Sequence, residues 1–233
     1  MMNSIAVDRN EYKYLMSFAD AARLQKKLDV VLHPDTYGEG GIYRVKSLYF
    51  DSVNHIDFQE KLAGYEKRKK VRLRIYDEDS SYAKLELKEK QGNYQHKYSL
   101  MISRQDAEAL VKGDYTVLWH YEDEIATLLY TTMMLGCYRP TAVVEYVRKA
   151  YTFPENRTRL TFDFHIKSSE TDLDLFSKNL PFYPILAEYV VLEVKYTKTL
   201  MKFIQKILSD YPLTNVSVSK YCNGRTIYEK LFM

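Results

Sequence analysis

Three times the chain spells Glu-x-Lys inside a stretch of alternating polar and apolar residues. The pairs are Glu11/Lys13 in NEYKY, Glu86/Lys88 in LELKEK and Glu193/Lys195 in LEVKY. Residues two apart in a strand share a face, so each pair sets a carboxylate beside an ammonium. Two kinds of surface use that pairing. A solvated sheet face carries it as ion pairs. A phosphate site uses the carboxylate to hold Mg²⁺ or Mn²⁺ and the lysine to meet phosphate oxygens.

Sorting neighbouring strands by face enlarges the set. In KVRLRIY, Arg72 and Arg74 oppose Val71, Leu73 and Ile75; in KLELKEK, Lys84, Glu86, Lys88 and Lys90 share one face. Lys97 pairs with Ser99, Arg148 with Tyr146, and Arg159 with Thr161 and Asp163. If the apolar faces pack against helices, the polar faces become one lining. Its bases are Lys13, Arg72, Arg74, Lys88, Lys97, Arg148, Arg159 and Lys195, and its acids are Glu11, Glu86, Asp163 and Glu193. Buried unpaired ions are costly, and bases outnumber acids, so the guest expected is a polyanion.

The elements that position these residues follow from periodicity. Alternation predicts strands near 5–14, 42–51, 68–77, 82–90, 93–102, 141–152, 157–167 and 186–196. DEDSS, QGN and PENR read as turns between antiparallel neighbours. Helices are expected from Ser17, an N-cap with Asp20 three residues on, and from Ser103 with Asp106, closing at Gly113. Others are expected in EDEIATLLYTTMML, in TLMKFIQKILSDY and across SKYCNGRTIYEKLF. No linker or repeat divides the 233 residues, so a single domain over 1–233 is expected. Its class is α+β: an eight-stranded antiparallel barrel with peripheral helices, because a sheet that large curls or closes.

Composition sets bounds. Formal net charge is +3, so anion affinity must come from clustering rather than the total. Cys137 and Cys222 have no zinc-ligand spacing. Two thiols far apart in sequence fit a reducing, cytoplasmic setting best, with one disulfide as the alternative. No apolar h-region opens the chain and no apolar run approaches bilayer length, so no membrane segment of its own is expected. The run YEKRKKVRLR invites a nucleic-acid reading. Strand alternation instead divides it, with Arg72 and Arg74 on the lining and 67–70 as a solvated approach or a tunnel mouth. The five histidines lack metal spacing, and GEGG at 38–41 is followed by no GK[ST].

In order along the chain, EYKY, SLYFD, RLRIY, LELKEK, RLTFD, LEVKY and SKYCNG together resemble the VTC domain. That is the polyphosphate polymerase domain of the vacuolar transporter chaperone, within the CYTH-like triphosphate tunnel metalloenzymes. The resemblance implies a basic tunnel in which the γ-phosphoryl group of ATP passes to a growing polyphosphate chain with Mn²⁺ or Mg²⁺. Lys13, Arg72, Arg74, Lys88, Lys97, Arg148, Arg159 and Lys220 match its phosphate-binding positions, and Glu193 its metal-binding glutamate. Glu11 and Glu86 join as metal candidates on spacing. No protein nucleophile is implied. Expected partners are ATP or another nucleoside triphosphate and polyphosphate, not nucleic acid. Two departures stand out. Arg9 occupies the place of the first Glu in the Glu-x-Glu-x-Lys of hydrolytic relatives, and Ser217 that of an additional lysine. The first favours polymerisation or binding over tri- or polyphosphate hydrolysis. A non-catalytic polyanion-binding module is the remaining alternative.

Overall fold

The computed structural model describes residues 9–92 and 94–225. In chain order it contains β1 (Arg9–Met16), α1 (Phe18–Val31), β2 (His33–Pro34), β3 (Ile42–Ser52), α2 (Ile56–Leu62), β4 (Lys67–Ile75), β5 (Tyr82–Gln91) and β6 (Tyr94–Ser103). Then follow α3 (Arg104–Val111), a 3-10 turn (Thr116–His120), α4 (Glu124–Leu135), β7 (Tyr138–Phe153), β8 (Thr158–Ser169), β9 (Tyr183–Pro184), β10 (Val190–Thr197), α5 (Lys202–Leu208) and α6 (Lys220–Arg225). A second short 3-10 turn, Pro154–Asn156, joins β7 to β8. The expected strand residues 5–8 and helix residues 226–232 lie outside the described residues.

The class is α+β and the strand pairing antiparallel, but the expected closed eight-stranded barrel is corrected. Ten strands are hydrogen-bonded in the open order β1-β10-β8-β7-β3-β4-β5-β6, with β2 on β7 and β9 on β8. Alternation reveals which face of a strand is apolar; it carries no information on whether the outermost strands meet.

The chain divides into two compact units. The first takes residues up to 44, 146–166 and 186–219; the second takes 45–145, 167–185 and 220 onward. In the first unit, Ser17 Oγ accepts from the Asp20 amide at 3.0 Å and starts α1. Ala21, Leu24 and Leu28 then fall on one helix face. They bury with Met16, Leu160, Phe162, Leu192, Val194 and Ile204 of α5, which turns the polar faces of β1, β10 and β8 the other way.

In the second unit, Leu48, Phe50, Val71, Leu73, Leu85, Leu87, Leu100 and Ile102 form a continuous apolar face against Ala107, Leu110, Leu129 and Met133 of α3 and α4. Ser103 Oγ caps α3 by accepting from the Asp106 amide at 3.1 Å. The sequence pattern did not reveal α2, because its N-cap residue, His55, is left-handed and makes no side-chain cap bond. Its cap comes from β3: Asp51 accepts from the amides of Asp57 and Phe58, both at 3.0 Å. Asp51 also accepts the Tyr221 hydroxyl at 2.6 Å. Thus SLYFD and SKYCNG, 170 residues apart, meet in one buried structural contact.

Candidate functional site

The first unit explains two of the Glu-x-Lys pairs. β1 and β10 run antiparallel in a register that sets Glu11 opposite Lys195 and Lys13 opposite Glu193. Each glutamate therefore meets a lysine along its own strand and another across the ladder. Lys13 Nζ lies 3.4 Å from Glu11 Oε1 and 3.5 Å from Glu193 Oε1. Lys195 Nζ lies 3.8 Å from Glu11 Oε2 and 2.8 Å from Glu193 Oε2. Lys13 Nζ also donates to Val218 O at 3.4 Å, so the segment preceding α6 helps to aim it. Opposite charges directly across a ladder stabilise the pairing, and this square of alternating charge is close to neutral.

On β8, Arg159 stands opposite Lys195. Its Nη2 contacts Asp35 and donates to the Tyr43 hydroxyl at 2.8 Å. Arg148 makes a two-pronged pair with Asp163, at 2.6 and 2.7 Å, and Asp163 is 0% exposed. Burial alone would lower the arginine's pKa. Asp163, Tyr146 and Glu193 outweigh it and hold Arg148 protonated well above the ordinary value.

The second unit carries a different charge balance. On the polar face of β4, β5 and β6, Arg72, Glu86 and Ser99 lie in one row, and Lys70, Lys88 and Lys97 in the next. Arg74 faces Lys84, and Arg68 faces Lys90. Glu86 is the one carboxylate on that face. It is 1% exposed and receives Arg72 Nε at 2.7 Å, Arg74 Nη1 at 3.8 Å and the Lys97 ammonium. Burial would raise its pKa, but Arg72, Arg74 and Lys97 bring it down to about 2. Beside it, Tyr49 of β3 pairs with Arg72 in register and is 3% exposed. The Lys70 ammonium sits 5.7 Å from the Tyr49 ring, and the Tyr221 ring stacks on that ring at 5.0 Å. Burial pushes the Tyr49 phenol up, yet Arg72, Lys70 and Arg74 pull it to about 8.

The structure therefore brings Glu11, Lys13, Glu193 and Lys195 together. It separately brings together Arg72, Arg74, Glu86 and Lys97, with Lys88 beside Lys97 in register. Arg148 and Arg159 are each engaged by an aspartate of the first unit. Lys220 opens α6 in the second. Sequence reasoning missed Lys70 as a member of the basic face, although it shares the parity of Arg72 and Arg74. It also missed Tyr49, whose cationic surroundings depend on strand pairing.

Among the described residues no three His, Cys, Asp or Glu side chains cluster as a ready metal site. Glu11 and Glu193 still fit a divalent cation, because one ammonium, Lys13, already reaches an oxygen of each. Two carboxylates completed by substrate phosphates and water form an ordinary Mg²⁺ ligand set. Neither cysteine forms a disulfide; Cys137 is exposed and Cys222 buried. No described helix is long and apolar enough to cross a membrane.

The family model of the VTC domain matches residues 8–228. The chain belongs to the VTC domain family. This membership places it among phosphoryl-transfer proteins of the triphosphate-tunnel class. Among solved structures, a Bacillus halodurans protein provisionally called an adenylate cyclase shares the fold. Its TM-score is 0.53 at 14% identity, over 91% of this chain and 95% of that one. A Pyrococcus horikoshii protein aligns at TM-score 0.47 and 11% identity, over 95% of this chain and 99% of that one. No curated protein is significantly similar to the sequence.

Proposed function

We propose that this VTC domain is a metal-dependent polyphosphate polymerase that passes the γ-phosphoryl group of ATP to a growing polyphosphate chain. The observation that supports the reading is the base-rich face of β4, β5 and β6, where Glu86 is set among Lys70, Arg72, Arg74, Lys88 and Lys97. Lys70, Lys88 and Lys97 stand abreast across three strands. Like charges directly opposite one another are unfavourable in a bare sheet and favourable once phosphate oxygens lie over them. Glu86 holds Arg72 and Arg74 on this face, and fixed guanidiniums meet phosphate oxygens at a smaller ordering cost.

The balanced square on β1 and β10 takes the other role. Glu11 and Glu193 would hold Mn²⁺ or Mg²⁺, which when bound neutralises phosphate charge and orients the reacting group. Lys13 and Lys195, relieved of their carboxylates, are then available to phosphate oxygens. Glu86, surrounded by three cations, serves as the counter-ion that aims Arg72 and Arg74 rather than as a metal ligand. Arg148 and Arg159 complete the proposed phosphate set with Lys220. Arg148 acts through a guanidinium that Asp163 keeps rigid. Phosphoryl transfer asks for positioning and charge stabilisation more than for covalent chemistry, and these side chains supply both without a protein nucleophile.

The deciding experiment incubates the purified chain with ATP and Mn²⁺ or Mg²⁺ and resolves the products on a gel alongside a phosphate-release assay. A polyphosphate ladder with stoichiometric ADP is expected. Free phosphate without polymer would make the domain a hydrolase. Triphosphate binding without turnover would make it a binding module.

A further inference from the structure

The second unit contains a polar hollow that shares no residue with the basic face. Its volume is about 320 Å³, and Ser52, His55, Arg139, Thr141, Glu170 and Arg225 supply its polar lining. Arg225 organises it. Its Nη1 lies 3.1 Å from Glu170 Oε2, and its Nη2 lies 3.4 Å from both ring nitrogens of His55. Its Nε is buried and has no hydrogen-bond partner among the described residues. A buried N–H without an acceptor is uncommon in a folded protein and marks a place where an acceptor belongs.

Two further features support that reading. His55 holds a left-handed backbone, φ 54°, which is uncommon outside glycine and persists only where the surroundings enforce it. On either side of it, Ser52 O accepts from the His55 amide, and Ser52 and Asp51 gather the amides of Ile56, Asp57 and Phe58. The Ser52 hydroxyl accepts from the Ile56 amide at 2.9 Å, so its own proton is available to a ligand. Arg225, His55 and Ser52 thus bring a guanidinium, an imidazole and a hydroxyl to a hollow that Arg139 also lines, beside Glu170, whose Oε2 contacts Nη1 of Arg225.

We propose that this hollow binds a small phosphate-class oxyanion, held by Arg225 and Arg139 with His55 and Ser52, at a site separate from the basic face. A tetrahedral oxyanion has enough acceptor oxygens to meet donors converging from several sides, whereas a carboxylate has two.

The test titrates orthophosphate into the full chain and follows the His55 imidazole resonance by NMR, assigned with His55→Gln. A saturable shift is expected in the wild type and in Lys70→Gln/Lys88→Gln, which alters only the basic face. Arg225→Gln should abolish it. Arg139→Gln should weaken it about tenfold, as losing a charge-assisted donor does. Arg139 is exposed, so this variant keeps the test decisive if Arg225→Gln fails to fold. The proposal is overturned by an absent shift, by one unchanged in Arg139→Gln, by one lost in the lysine double variant, or by an equal response to acetate. Because the readout needs no turnover, failure of the polymerase reading leaves this result standing, and the reverse.

Discussion

At the scale of single residues, the same carboxylate types do two different jobs, and their neighbours decide which. Asp163 is fully buried against one guanidinium with both oxygens used. Cutting such a pair leaves a buried charge uncompensated, at a cost of about 3–5 kcal/mol. Arg148→Ala should therefore lower stability by that amount in denaturant unfolding, and a loss under about 1 kcal/mol would show that water replaces the guanidinium. Glu193 is placed differently, between two lysines that it also shares with Glu11. Its removal leaves two ammoniums with one carboxylate. Glu193→Ala should cut metal-dependent turnover by about 100-fold or more, the scale of losing one electrostatic stabiliser. Triphosphate affinity measured by calorimetry should hold or rise. Turnover near the wild-type rate would remove Glu193 from the metal assignment.

At the scale of elements, register turns a sequence spelling into an electrostatic arrangement. Tyr49 reaches its cations only because β3 pairs with β4 so that it meets Arg72. Its phenol lies near 8, below the ordinary 10.0, so the folded chain binds fewer protons than the unfolded chain between those values. Stability contributed by Tyr49 is then fully present above about pH 10, and is lost as pH falls through about 8. The functional consequence has the opposite sense. Ionising Tyr49 places a negative charge among Arg72, Lys70 and Arg74, so triphosphate affinity should fall as pH rises past 8. Tyr49→Phe keeps the stacked ring and should flatten the affinity profile between pH 7 and 9.5; a fall of the same size in the variant would assign it to another group.

The element scale also shows what the sequence could reveal. Strand alternation identified the eight long strands, and Ser17 and Ser103 marked the starts of α1 and α3, because those signals are local. Closure into a barrel, the contact of Asp51 with Tyr221 and the partnership of Asp35 with Arg159 are set by pairing between distant segments. No local pattern encodes them. Even the basic face was only half legible: Arg72, Arg74, Lys88 and Lys97 were found by parity, while Lys70 was assigned to solvent because it lies inside a dense basic run.

At the scale of the whole molecule, a net charge of +3 conceals an uneven distribution. The polar face of β1 and β10 is balanced, whereas that of β4, β5 and β6 carries many bases against Glu86 alone. If the total charge governed polyanion binding, any two lysines would serve equally. Lys70→Gln/Lys88→Gln and Lys26→Gln/Lys112→Gln each take the formal charge from +3 to +1, by 3 − 2. The first pair lies on the basic face, and the second is exposed on other elements, α1 and the end of α3. Polyphosphate titrations at several salt concentrations should separate them. The face variant should lose affinity about tenfold or more at low salt, with a shallower salt dependence because fewer phosphate contacts release counterions. The control variant should bind within about twofold of the wild type. Equal losses in both would mean that polyphosphate is held by diffuse attraction to the whole surface. Loss confined to the face variant would mean that strand register, rather than composition, creates the affinity.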